Sequence, residues 1–184
     1  MHQIRLTRDI AWSELLVDPS LGSSTAVLGT GSFGVVVRAL WQSRTASGRA
    51  GPTISVAVKV ITKSAIAGEG CMTFEKACES ALEEAELVAR ADRDIFNKDA
   101  IVRVYGVARG VLPPELRMAF PVASDECVGI VMRYEAGGSL AKLLHPPSGT
   151  FMATISMVEK LRIAGEIARG ARLESVRYAQ PFFC

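Results

Sequence analysis

Histidine is nearly missing from this chain: only His2 and His145 occur. The four cysteines, Cys71, Cys78, Cys127 and Cys184, form no C-x-x-C pair. Zinc ligands usually arrive in close pairs, so both counts argue against a zinc site. Four scattered cysteines also argue against a disulfide framework, and free thiols in a reducing compartment are the plainer reading. Charge of one sign is missing too. Lys and Arg total 21, Asp and Glu 19, for a net charge of +2. That balance gives no electrostatic footprint for nucleic acid or an anionic membrane. No apolar run is long enough to span a bilayer. The opening residues Met1 to Asp9 alternate charge with apolar side chains and lack the unbroken core of a secretory signal. Asp9 and Glu14 argue against a transit peptide, which leaves the cytosol as the expected compartment.

What is present is a chain of 184 residues, 49% apolar and 22% charged. That suffices for one domain with a hydrophobic core and excludes bulk disorder. The densest strand signal is Gly34 to Trp41, and a second strand is expected over Ile54 to Ile61. The residues between them, Gln42 to Pro52, read as a polar loop joining an antiparallel pair. From Phe74 to Ala91 the period changes. Phe74, Ala77, Cys78, Ala81, Leu82, Ala85, Val88 and Ala89 make one helical stripe, with Glu83 opposite and Glu84 and Glu86 on its two flanks.

Further strands are expected over Asp99 to Val107 and Cys127 to Tyr134, with a loop around Pro113, Pro114 and Pro121 between them. Helices are expected over Leu140 to Leu144 and, after the breaker Pro146 to Gly149, over Ser156 to Leu173. Antiparallel strands with one inserted helix, followed by helices alone, imply an α+β fold.

Chemistry concentrates in three places. Gly29, Gly31 and Gly34 form G-x-G-x-x-G followed by x-V. Such glycines let backbone amides approach a phosphate with no Cβ in the way. A dinucleotide fold needs a helix after this motif, whereas here Val35, Val36 and Val37 favour a strand. The pattern therefore reads as a glycine-rich hairpin lying over a nucleotide, or as an ordinary hairpin turn. Second, in Val56-Ala57-Val58-Lys59, alternation puts Ala57 and Lys59 on one face. A small residue beside an ammonium makes room for a flat base next to its phosphates, although a Lys on a strand also serves simply to blunt a sheet edge. Third, Glu84 can point inward at Lys59, with Glu86 as the competing carboxylate.

These three elements, in this order, resemble the N-terminal lobe of a eukaryotic protein kinase. Ile130 to Leu140, reading I-V-M-R-Y-E-A-G-G-S-L, resembles that family's hinge. The resemblance implies a kinase-like N-lobe of antiparallel sheet plus one regulatory helix, then the first helices of an incomplete C-lobe. It implies ATP as the ligand, with Leu28, Val36 and Ala57 sandwiching the adenine. Met132 would stand behind the base, and main-chain groups of Arg133 and Glu135 would pair with its edge. Gly29, Gly31 and Gly34 would cover the phosphates that Lys59 and Glu84 orient. Ile10 to Leu15 and Trp41 resemble the tyrosine-kinase-like branch of serine/threonine kinases.

The implied organisation is an N-terminal extension over 1–20, an N-lobe with hinge over 21–135, the start of a C-lobe over 136–170 and a divergent tail over 171–184. The resemblance runs from about Ile10 to Gly170. The family's next parts are a catalytic loop with its Asp and the magnesium ligands. Here the last Asp is Asp125 and the last Asn is Asn97, both ahead of the hinge. Mg2+ is expected for the family, but its protein ligands are missing.

The reading is a kinase domain cut short before its catalytic loop, without useful activity alone. Two alternatives stand beside it: a non-catalytic, pseudokinase-like module that engages a kinase or its regulator, and a chain that does not fold stably. A protein partner covering the apolar stripe of helix 156–173 is expected on either of the first two readings.

Overall fold

The computed structural model describes residues 8–18, 26–31, 34–44, 49–62, 73–92, 101–119, 126–144 and 155–178. Ser32 and Phe33 of the glycine motif, Pro121, the Pro146 to Gly149 breaker, both histidines, Cys71 and Cys184 lie outside them. The chain divides into two compact units: Met1–Arg90 with Val102–Tyr134, and Ala91–Ile101 with Glu135–Cys184.

The first unit is a curled sheet of seven strands among the described residues. They are β1 (Arg8–Ile10), β2 (Leu15–Leu16), β3 (Val27–Gly31), β4 (Gly34–Arg44), β5 (Ala50–Thr62), β6 (Val104–Val111) and β7 (Glu126–Arg133). The lateral order is β1-β6-β7-β5-β4-β2, with β3 also paired to β4. β1 runs parallel to β6, and the remaining neighbours are antiparallel.

The valine-rich β4 and β5 pair from Val35↔Val60 out to Arg44↔Ala50. Part of the polar stretch expected to be loop is therefore ladder, because Gln42 and Arg44 satisfy backbone partners as well as any apolar residue does, with an irregularity between them. The strand expected at Asp99 to Val107 sits later, at Val104–Val111. The following segment holds a short helix, α2 (Pro114–Ala119), where a loop was expected. Pro114 at its first position lacks only an N–H that no helix start can use.

The sheet has two apolar faces. One carries Val35, Val37, Ala39 and Trp41 of β4 and Val56, Val58 and Val60 of β5, with Cys127 and Val131 of β7. Residues 8–18 supply Ile10, Trp12 and Leu15 to this cluster, and Leu112 and Leu116 add to it. This N-terminal strap pairs with one edge of the sheet through β1 and with the other through β2. Buried Glu14 anchors it, accepting the Trp41 indole N–H at 3.1 Å and an Arg8 guanidinium N–H at 3.3 Å.

On the opposite face lies α1 (Phe74–Asp92), packed through Ala81 and Ala85 against Ile61, Val107, Val128 and Ile130. Its Phe74, Cys78 and Leu82 complete the contact, as the stripe requires. Alanines at the centre bring the helix close to the sheet, since the approach distance follows side-chain size.

The second unit contains α3 (Leu140–Leu144) and α4 (Met157–Tyr178). Ser156 caps α4, its Oγ accepting the Glu159 N–H at 3.1 Å. The helix extends to Tyr178, past the expected Leu173. Arg162 bridges Glu159 and Glu166 along it, and its hydrogen bond holds the Glu159 carboxyl below the usual carboxylate range. Val158, Leu161 and Ile167 of the expected stripe are 77%, 66% and 55% exposed, while Ile163 is partly covered.

Candidate functional site

The face of the sheet that carries α1 also presents two rows of side chains, set by register. In the first row Gly29 of β3 pairs with Val36 of β4, Val36 with Lys59 of β5, and Lys59 with Ile130 of β7. The second row holds Arg38, Ala57, Met132 and Val104 in the same way. Two residues along a strand separate the rows, a step of about 7 Å. An ammonium and the glycine hairpin thus share one row, and a small side chain flanked by methionine lies in the next.

Glu84 reaches Lys59 from α1. Lys59 Nζ donates to both carboxylate oxygens, at 3.1 Å to Oε1 and 3.0 Å to Oε2. The buried Ala81 and Ala85 bracket Glu84 and set its height over the sheet. Of the two flanking carboxylates, Glu84 is the one the structure pairs with Lys59. The pair stays accessible, with 30% of the lysine side chain and 54% of the glutamate side chain exposed.

The hairpin between β3 and β4 closes on Gly31↔Gly34. Gly34 has φ +148, and a Cβ there would sit 2.0 Å from the carbonyl oxygen of Val60. Only glycine meets both conditions. Gly29 has nothing within 4 Å of where a Cβ would be, so its backbone is open to a ligand. Leu28, next to the bulge between Val27 and Gly29, is exposed. Val36 is half-buried and Ala57 buried.

Met132 packs partly into the cluster beneath α1 and stands opposite Ala57. Arg133 ends β7, its N–H donating to the Arg103 carbonyl at 2.8 Å. Tyr134 follows, with the Arg38 guanidinium 4.7 Å from its ring centroid. Glu135 belongs to the second unit, where its carbonyl accepts the Gly138 N–H at 3.1 Å in a tight turn.

Sequence reasoning missed Arg38. It reads as one more strand charge, and only the register shows it beside Ala57 on the same face. Cys78 lies near Glu75 and Glu126, and burial, reinforced by these carboxylates, raises its thiol pKa against the opposing pull of Arg109. Its reactive thiolate form is therefore less favoured than in a free thiol.

The arrangement sets an oriented ammonium in one row with the open backbone of Gly29, chemistry that suits a polyanion, and the small Ala57 in the next. Among the described residues no three His, Cys, Asp or Glu side chains come together to hold a metal ion, and both Glu84 oxygens receive Lys59. No helix among the described residues is long and apolar enough to cross a membrane.

The sequence profile of protein tyrosine and serine/threonine kinases matches residues 23–178. It extends past Gly170, where the resemblance was expected to stop. Curated proteins provide no match to the chain.

Proposed function

The chain belongs to the protein tyrosine and serine/threonine kinase family, and from that membership we propose that its first unit binds ATP at the two rows described above. The family transfers the γ-phosphoryl of ATP to protein hydroxyls. The observation that carries the proposal is the two-oxygen contact of Glu84 with Lys59 in the row that also holds Gly29 and Val36.

Lys59, oriented by Glu84, contacts the α- and β-phosphates. Gly29, Gly31 and Gly34 cover them with main-chain amides. Leu28, Val36 and Ala57 enclose the adenine, Met132 lies behind it, and main-chain groups of Arg133 pair with its edge. The acceptor class is Ser/Thr of proteins, and the branch is the tyrosine-kinase-like one. The two features suggesting that branch are physically linked, since Trp41 donates to Glu14 of the Ile10 to Leu15 segment.

These 184 residues by themselves do not complete the transfer. No Asp follows Asp125 in them, and the reaction needs carboxylates that place the metal ions and the acceptor hydroxyl. ATP binding without turnover is the expected behaviour. The free thiols of Cys78 and Cys127 suit a reducing compartment.

The test is a nucleotide-dependent shift in melting temperature, repeated with Lys59→Ala. The unaltered chain shifts and the variant does not. Equal shifts in both would overturn the site. A second reading is favoured by the exposed Val158, Leu161 and Ile167 of α4: a non-catalytic module whose helix 156–173 docks on a kinase or its regulator. That reading predicts partner binding that Lys59→Ala leaves unchanged.

A further inference from the structure

We infer that Arg38 is a positioning residue for the base end of the nucleotide site, a role that rests on the ATP-binding reading. Three groups hold its guanidinium. Nη2 lies 3.2 Å from Asp18 Oδ2 and 3.5 Å from Ser55 Oγ, and Cζ lies 4.7 Å from the centroid of the Tyr134 ring. Asp18 is buried, at 7% side-chain exposure, so this carboxylate is a fixed anchor and not a waving surface charge. Arg38 is itself directly opposite Ala57, and Ala57 is opposite Met132. A flat ring lying on Ala57 therefore has Arg38 as its lateral neighbour.

Tyr134 is the last residue of the first unit, immediately after Arg133. Its ring position fixes where the main chain leaves β7. Arg133 is tied on one side by its N–H to the Arg103 carbonyl. The Arg38–Tyr134 stack ties the next residue along. Together they set the direction of the Arg133–Tyr134 peptide, which is the edge a purine amino group would read.

The arrangement is not optimised for stability. The Nε of Arg38 is buried and has no hydrogen-bond partner among the described residues. A buried donor left unmet is unfavourable and calls for an explanation. A guanidinium drawn onto the tyrosine face by Asp18 gives one: geometry at the ring is kept at the expense of one donor.

The experiment compares ATP with purine riboside triphosphate, which carries the same phosphates and lacks the exocyclic amine. Affinities are measured for the unaltered chain, Arg38→Ala, Tyr134→Leu, the double variant and Lys59→Ala. The unaltered chain prefers ATP. Arg38→Ala and Tyr134→Leu each lower that preference about fivefold, in keeping with loss of a cation–π contact. The double variant is no worse than either single one. Lys59→Ala removes binding of both nucleotides alike, because the phosphates they share lose their ammonium.

A merely structural Arg38 would lower the melting temperature and weaken both nucleotides equally. An unchanged ATP preference in Arg38→Ala therefore overturns the inference while leaving the ATP site standing. No binding of either nucleotide by the unaltered chain defeats the ATP-binding reading, and this one with it.

Discussion

Glu84 presents both carboxylate oxygens to the Lys59 ammonium while 54% of its own side chain remains in solvent. A pair that wet contributes little to folding, about 1 kcal/mol or less, because water and salt screen it. Its value lies in orientation. Lys59→Ala and Glu84→Ala should therefore leave urea unfolding midpoints almost unchanged. Lys59→Ala abolishes ATP binding, and Glu84→Ala weakens it roughly tenfold by releasing the ammonium. Isothermal titration beside urea denaturation separates the two effects. A large loss of stability in either variant would contradict the exposed geometry.

The two outer glycines of the hairpin should part company. Gly29→Ala meets nothing in the folded chain, so its melting temperature holds. Nucleotide affinity still falls several-fold, because the new methyl group occupies the space a phosphate would use. Gly34→Ala drives a Cβ into the Val60 carbonyl at a φ that L-residues rarely adopt. It costs upward of about 2 kcal/mol and opens the β3–β4 hairpin. Thermal unfolding of both variants checks the contrast. Equal destabilisation would mean that Gly29 is not open.

Beneath the sheet, Trp12 of the strap lies against Gly129 of β7. A Cβ on Gly129 would come within 2.5 Å of Trp12 Cη2 and 3.0 Å of Val58 Cγ1. Gly129→Ala should cost about 1–3 kcal/mol by overpacking. Trp12→Ala should cost about 3–5 kcal/mol by leaving a cavity. In the Trp12→Ala background, Gly129→Ala costs clearly less, because only the Val58 Cγ1 contact at 3.0 Å then remains. A double-mutant cycle in urea reads that coupling. Additive losses would show that the strap does not seat there.

How much of this was legible beforehand depends on range. Lys59 and Ala57 could be placed on one face from strand alternation, and Glu84 on a flank of its helix from a 3.6-residue period. These are local patterns, and the structure keeps them. The pairing of Lys59 with Glu84 over Glu86 could be proposed but not decided, because it depends on the angle at which α1 crosses the sheet. The strap was unreadable for a stronger reason. Arg8–Ile10 and Leu15–Leu16 are too short to carry a period, and they become strands only because β6 and β4 offer open edges. Arg38 was missed likewise, since its partners Asp18, Ser55 and Tyr134 are spread along the chain.

Cys78 provides a test by pH. Burial, and then the charges of Glu75 and Glu126, favour the neutral thiol in the folded chain, and Arg109 opposes them. The folded pKa therefore lies above the unfolded one. The stability linked to this group is fully present below the ordinary thiol range and is lost as pH rises through the folded value. In a Cys71→Ser, Cys184→Ser background, iodoacetamide alkylation of Cys78 should show a midpoint displaced to higher pH than a peptide thiol. Buried Cys127 reacts only on unfolding. A Cys78 midpoint at or below the peptide's would refute the desolvated environment.

The apolar side of α4 gives the last test. Val158, Leu161 and Ile167 are mostly in solvent, while Ser156 caps the helix and Arg162 clasps Glu159 and Glu166 along it. The helix thus has local support that does not depend on covering those three side chains. Replacing Leu161 and Ile167 with Lys should preserve the circular-dichroism helix signal and the melting temperature. Removing apolar surface should also reduce concentration-dependent association, seen by sedimentation velocity. If the same substitutions instead lower the melting temperature by several degrees, the stripe is already packed against something within the chain. It is then not the surface a partner would use.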